Sequence, residues 1–140
     1  MEDPIRECVG FRLAAAHRRL DRHFTRMYSR IGLSHSQGQI LICLFERGSA
    51  RMTEIAADTG LSQSTVSRLA KELSRHRFLR REKDPDDARA QLLSPGNRAK
   101  TLRGELYRLQ ALINSRVRGD LGEDDLGQLL ETLDRIIRHG

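Results

Sequence analysis

Tryptophan is absent from this 140-residue chain, and aromatic residues make up only 4% of it. A core without large rings has to be filled by aliphatic side chains, which suits helices packed on helices. Cysteine is nearly as scarce: Cys8 and Cys43 give neither a metal-ligand spacing nor a disulfide framework, in keeping with a reducing compartment. No stretch approaches the roughly 18 consecutive apolar residues of a membrane-spanning helix. Glu2 and Asp3 open a charge-interrupted N-terminus unlike a signal peptide, so a cytoplasmic protein with no membrane partner is expected. A glycine-rich phosphate loop, a G-x-S-x-G elbow, an H-E-x-x-H pair and facing carboxylates are all missing. The expectation is therefore no enzyme and no cofactor. There is also no internal repeat, low-complexity tract or long linker.

What the chain does have is basic charge. Its 25 lysines and arginines exceed its 19 acidic residues by six, which favours a polyanionic partner. The length is that of one domain, and 38% of it is apolar. Met52 to Ser74, MTEIAADTGLSQSTVSRLAKELS, reads as two short amphipathic helices hinged on Thr59-Gly60-Leu61. Such a pair needs a small residue at the close approach, a turn residue tolerant of positive φ, and apolar residues facing across. Ala56, Gly60 and the set Ile55, Leu61, Val66 and Leu69 supply them. Ser62 is a favoured N-cap, and Gln63, Ser64, Thr65 and Arg68 follow as residues able to bond base edges or phosphates. A plain helical hairpin with a polar outer face is the alternative. Beyond it, Arg77 to Glu82 and Ala90 to Leu93 suit two short strands around the loop Lys83 to Arg89, a wing by its placement. Its flanks carry Arg80, Arg81, Lys83 and Arg89 and its tip Asp84, Asp86 and Asp87, so phosphate attraction must come from the arginines. A solvated turn of mixed charge is the blander account.

The run LSQSTVSRLAKEL followed by LRREKDPDDARAQLLSPGNR resembles the winged helix-turn-helix of the MarR family of bacterial transcription regulators, most clearly from Met52 to Arg98. The resemblance implies a mainly α fold with a small β-wing and one domain over residues 1–140. Residues 34–93 would form the DNA-binding part, and residues 1–33 and 94–140 the dimerisation helices. It implies that Ser62, Gln63, Ser64, Thr65 and Arg68 face the major groove, with Lys71, Arg80, Arg81 and Lys83 as candidate phosphate contacts. Asp87 and Arg89 would be the wing's Asp-x-Arg pair, the carboxylate holding the guanidinium in a bidentate grip. Three departures stand out. Arg77 occupies the place of a glycine after the second helix, the returning strand is shortened by two residues, and Asn97 replaces a glycine that here falls at Gly96.

The flanking segments read as long helices. Asp3 caps and Pro4 opens a helix of about 25 residues with the stripe Ile5, Val9, Leu13, Ala16, Leu20, Phe24, Met27 and Ile31. Ser34 and Gln37 form a capping box before Ile40 to Phe45, which is apolar on nearly all sides and closed by Gly48. Ser94 and Pro95 start a further helix that ends at Gly119-Asp120. The last helix has Glu123, Asp124 and Asp125 in its first turn and the stripe Leu126, Leu129, Leu130, Leu133, Ile136 and Ile137. Striped helices at both ends suit a twofold dimer reading an inverted repeat, although in a monomer they could pack on each other. By resemblance, the chain is expected to be a double-stranded-DNA-binding repressor, a homodimer, released by a small and often anionic aromatic effector. His17, Arg18, His35 and Arg47 are the candidate crevice residues. Two alternatives are a redox sensor acting through Cys8, flanked by Arg6 and Arg12, and a winged-helix protein-interaction module that does not read DNA. Zinc sensing through His17, His23, His35 or Cys43 has no ligand spacing to support it.

Overall fold

In a computed structural model that describes residues 2–139, seven helices and one antiparallel hairpin follow in the order α1 (Val9–Ser29), α2 (His35–Arg47), α3 (Met52–Thr59), α4 (Gln63–Arg75), β1 (Leu79–Asp84), β2 (Asp87–Pro95), α5 (Asn97–Thr101), α6 (Arg103–Leu121) and α7 (Glu123–His139). The mainly helical fold with a two-stranded wing is the one expected. The chain separates into two compact units, one up to Leu106 and one from Tyr107 onward. The division falls inside α6, and α5 packs on β1 within the first unit.

In the first unit, α2 is the hub, packed by α1, α3, α4 and β2. Its capping box forms as expected: Ser34 Oγ accepts the Gln37 N–H at 3.1 Å, and Gln37 Oε1 accepts the Ser34 N–H at 3.0 Å. Ile40, Leu41 and Leu44 are wholly buried, each contributing about 1.5–3 kcal/mol against exposure. Helix α1 lies so close to α2 that a Cβ at Gly38 would come within 2.2 Å of the Tyr28 ring.

The start of α1 corrects the sequence reading. Asp3 Oδ1 does accept the amides of Ile5 (3.1 Å) and Arg6 (2.9 Å), but the turn it closes is isolated, and Cys8 is extended before the helix begins at Val9. A single turn gains too little to propagate when its apolar residue, Ile5, faces solvent. Two further boundaries shift. Pro95 pairs with Leu79 at the end of β2, so Gly96, not Ser94, is the N-cap of the next helix. That helix breaks at Leu102, and α6 continues to Leu121, ending at Gly122 in place of Gly119-Asp120. The returning strand is accordingly long, nine residues against six in β1.

The second unit holds the rest of α6 and α7. Helix α7 has Glu123, Asp124 and Asp125 at its positive end and Arg138 and His139 at its negative end, and Arg118 Nε lies 3.3 Å from Glu123 Oε1. Leu126 is buried, whereas Leu129, Leu130, Ile136 and Ile137 are exposed.

Candidate nucleic-acid interface

The turn between α3 and α4 is built from local chemistry. Gly60 takes the left-handed conformation (φ 75°) and returns its N–H to Ala56 O at 2.9 Å, while Thr59 Oγ1 accepts the Leu61 N–H at 3.3 Å. Ser62 Oγ then accepts the Thr65 N–H at 3.2 Å and donates to Thr65 Oγ1 at 2.8 Å, which caps α4. Val66, Leu69, Ala70 and Leu73 point into the core. The opposite face therefore presents Gln63, Ser64, Arg68 and Lys71 to solvent, with Thr65 half-buried beside the cap. Arg68 Nη1 rests 3.6 Å from Glu72 Oε1, and Glu72 Oε2 accepts from Gln37 Nε2 at 3.1 Å, so the exposed arginine of α4 is tied through Glu72 to α2.

Helix α4 ends without glycine. The Arg77 N–H bonds Ser74 O at 3.2 Å and the Phe78 N–H bonds Leu73 O at 2.9 Å, the double closure of a left-handed helix stop, with Arg77 itself at φ 65°. The conformation survives the missing glycine because Arg98 braces it, donating its N–H to Arg77 O at 3.3 Å and stacking its guanidinium 4.4 Å from the Phe78 ring centre. Gly96 crosses directly over this stop. A Cβ there would lie 2.5 Å from Arg77 O and 2.9 Å from Leu79 N.

The wing pairs regularly from Leu79↔Pro95 to Lys83↔Gln91 and then bulges, Asp84 pairing with Asp87. Arg80, Lys83 and Arg89 are exposed; Arg80 faces Glu82 at 3.6 Å, and Arg81 donates to Gln91 at 3.4 Å. Asp87 Oδ1 accepts the backbone N–H of Arg89 at 3.0 Å, so its hold on Arg89 runs through the main chain and the guanidinium stays open. Asp84, which the sequence places at the charged tip, is instead buried. It accepts the Asp86 N–H at 2.9 Å and forms an ion pair with Arg51. Together with the Ala50↔Leu93 bridge, this pair fastens the wing to the start of α3 and leaves a cleft between Met52, Thr53, Arg89 and Gln91. Nothing local marks Asp84, whose partner lies far back in the chain.

The four crevice candidates do not converge. His35 and Arg47 sit at opposite ends of α2, about 18 Å apart at 1.5 Å per residue. His35 packs between Phe24 and Tyr28 and contacts Asp21 at 3.3 Å, and burial, with a smaller push from His17, lowers its pKa against the opposing pull of Asp21. Arg47 clasps α3: Nε and Nη2 bind Asp58 at 2.6 and 2.9 Å, and Nη1 binds Glu54 at 2.8 Å. The Arg47 guanidinium, helped by the Cys43 thiol, pulls the Asp58 carboxyl down to about 2. Burial, then the neighbouring carboxylate, pushes Cys43 up to about 12, so this thiol is inert. His17 and Arg18 remain exposed on α1. Among the described residues no group of three potential metal ligands forms, and no helix is long and apolar enough to cross a membrane.

Residues 33–90, which contain the hinge, α4 and most of the wing, match the MarR family model. The chain is 26% identical over 120 residues to YkoM, an uncharacterised HTH-type transcriptional regulator of Bacillus subtilis strain 168, the alignment spanning 86% of this chain and 78% of that one. Its fold is shared with BpsR of Bordetella bronchiseptica, whose DNA binding is regulated by 6-hydroxynicotinic acid (TM-score 0.84, 22% identity, 93% of each chain). It is shared equally with the transcriptional repressor CouR bound to a 23-mer DNA duplex (TM-score 0.83, 23% identity, 97% of this chain and 96% of that one). With the hinge, the capped α4 and the braced wing in place, residues 33–90 carry the winged helix-turn-helix of the MarR family, and the chain is a MarR-type DNA-binding transcription regulator.

Proposed function

We propose that the chain works as a homodimeric repressor that reads an inverted-repeat operator through α4 and the wing and is released by a small anionic effector. The observation that carries this reading is the α4 face, where a completed Ser62 cap aims Gln63, Ser64 and Arg68 outward on a helix whose other side is fully buried. Ser62 and Thr65 hold the helix start against the groove, Lys71, Arg80, Arg81 and Lys83 meet phosphates, and Arg89, placed by Asp87, enters the minor groove. Support for the partners comes from relatives: CouR in complex with a duplex, and BpsR under the control of a hydroxylated aromatic acid. Of the crevice candidates, His17 and Arg18 keep exposed side chains for such an acid, while His35 and Arg47 serve packing and the α2–α3 clasp. The exposed apolar residues of α7 form the dimer seam.

Selection of bound duplexes from a random pool tests the reading, followed by a screen of aromatic acids for release. An enriched inverted repeat is expected, and enrichment of nothing above random sequence overturns it. On the selected duplex, Arg68→Ala should lose about 1–3 kcal/mol per half-site while random duplex loses much less. Equal losses would reduce Arg68 to a phosphate contact.

A further inference from the structure

Helix α1 carries a feature that the winged helix-turn-helix does not use. Five arginines stand against one aspartate within Val9–Ser29, a net +4 out of the chain's +6, and Arg30 extends the series at the C-cap. At about 100° per residue, Arg12, Arg18, Arg19, Arg22, Arg26 and Arg30 all fall within an arc of about 120°, over a length of about 27 Å. All six are exposed, and between Arg12 and Arg30 the same arc holds only Ala15 and Ser29 besides. Among the described residues none of the six is paired with a carboxylate, and Asp21, the one acid of α1, is turned to His35 on another side of the helix.

Such a ladder is costly by itself. Arg18, Arg22, Arg26 and Arg30 follow at i, i+4 steps, where like charges repel and weaken the helix. The arc also lacks the aromatic rings on which single strands stack, and the buried aromatic or aliphatic anchor of a protein interface. What it presents is a row of planar five-donor groups, the geometry that binds phosphate bidentately. Its rear face holds Val9, Leu13, Leu20 and Met27, so a partner helix seated on that stripe leaves the arginines open.

We infer that the α1 arginine ladder is a second, sequence-independent contact surface for the phosphate backbone of duplex DNA, separate from the face that reads bases. It adds affinity for long duplexes beyond the operator and adds to the salt dependence of binding. The inference rests on the chain being a DNA-binding regulator, not on the roles proposed for Arg68 and Arg89.

The test combines Arg18→Gln, Arg22→Gln and Arg26→Gln in the full chain and titrates random-sequence duplexes of about 20 and about 60 base pairs across a salt series. On the longer duplex the triple variant should bind at least about tenfold more weakly, with a log–log salt slope shallower by about 2 to 3. Thermal unfolding should not fall and should rise slightly, because all three side chains are exposed and their i, i+4 repulsion is removed. The same slope difference should persist in an Arg68→Ala/Arg89→Ala background, which separates the ladder from base reading. Slopes and affinities matching wild type overturn the inference. So does a slope difference that vanishes in that background, or a triple variant that loses more affinity for single-stranded RNA or polyglutamate than for duplex.

Discussion

The first unit and the second solve opposite problems with similar helices. In the first, each junction is closed from within: Ser34 with Gln37, Ser62 with Thr65, Arg47 across to Asp58, Arg51 into the wing at Asp84. The second has suitably charged ends on α7, yet Leu130 is 50% exposed and Ile137 74% exposed. A region that must meet rigid DNA in a fixed pose has its polar groups tied internally, whereas the one that leaves apolar residues in water offers the seam proposed for a second protomer.

The strongest way to break that contrast is to charge the open stripe. Leu133→Glu with Ile136→Glu should give a monomer by sedimentation, with an unchanged melting transition for the winged part. Operator affinity should fall by about two orders of magnitude as the second half-site is lost. A variant that still sediments as a dimer would remove α7 from the interface. Next in size is Gly96→Ala in the closed unit. Its new methyl would meet backbone that cannot move aside, so about 1–3 kcal/mol of stability should disappear in denaturant titration.

A smaller effect sharpens the view of the α2–α3 clasp. Because the Asp58 pKa lies at about 2 in the fold against an ordinary 3.8, its contribution is present above the ordinary value and is lost as pH falls through about 2. The melting-temperature gap between wild type and Asp58→Asn should therefore be constant near neutrality and close below about pH 4. The gap should be small, because both side chains of the pair are open to solvent and screened. Smallest of all, Arg77→Gly should stabilise the protein by about 0.5 kcal/mol, the relief of the left-handed stop being partly offset by the greater freedom of glycine in the unfolded chain. A loss of stability there would mean that the arginine side chain holds the stop in a way its backbone does not reveal.

Features legible in the sequence were those whose partners lie within a turn. The Ser34–Gln37 box, the Ser62 cap and the Gly60 turn depend on residues two to four apart, so spacing alone reveals them. The MarR-like motif extended that legibility to the wing. Nothing local marks the pairing of Asp84 with Arg51 or the clasp of Arg47 on Asp58, because those partners arrive from other elements. Asp3 showed the converse error: its cap is real, but a cap does not make a helix where no apolar face is buried behind it. The α1 arginines are plain in the sequence, but they form a row only when helix geometry gathers them on the arc opposite the apolar stripe.

The crossing of Gly96 over the Arg77–Leu79 backbone also sets the unit in which specificity can be exchanged. The last turn of α4, its left-handed stop, the first wing pair and the Arg98 stack on Phe78 share one set of close approaches. Engineers wishing to move this reading head onto another scaffold would find α4 alone a poor graft. The portable module runs from Ala50 through Arg98, since Arg51 and the Ala50↔Leu93 bridge also hold the wing, and a chimaera cut between the helix and the wing should inherit the exposed side chains of α4 without the angle at which they are delivered.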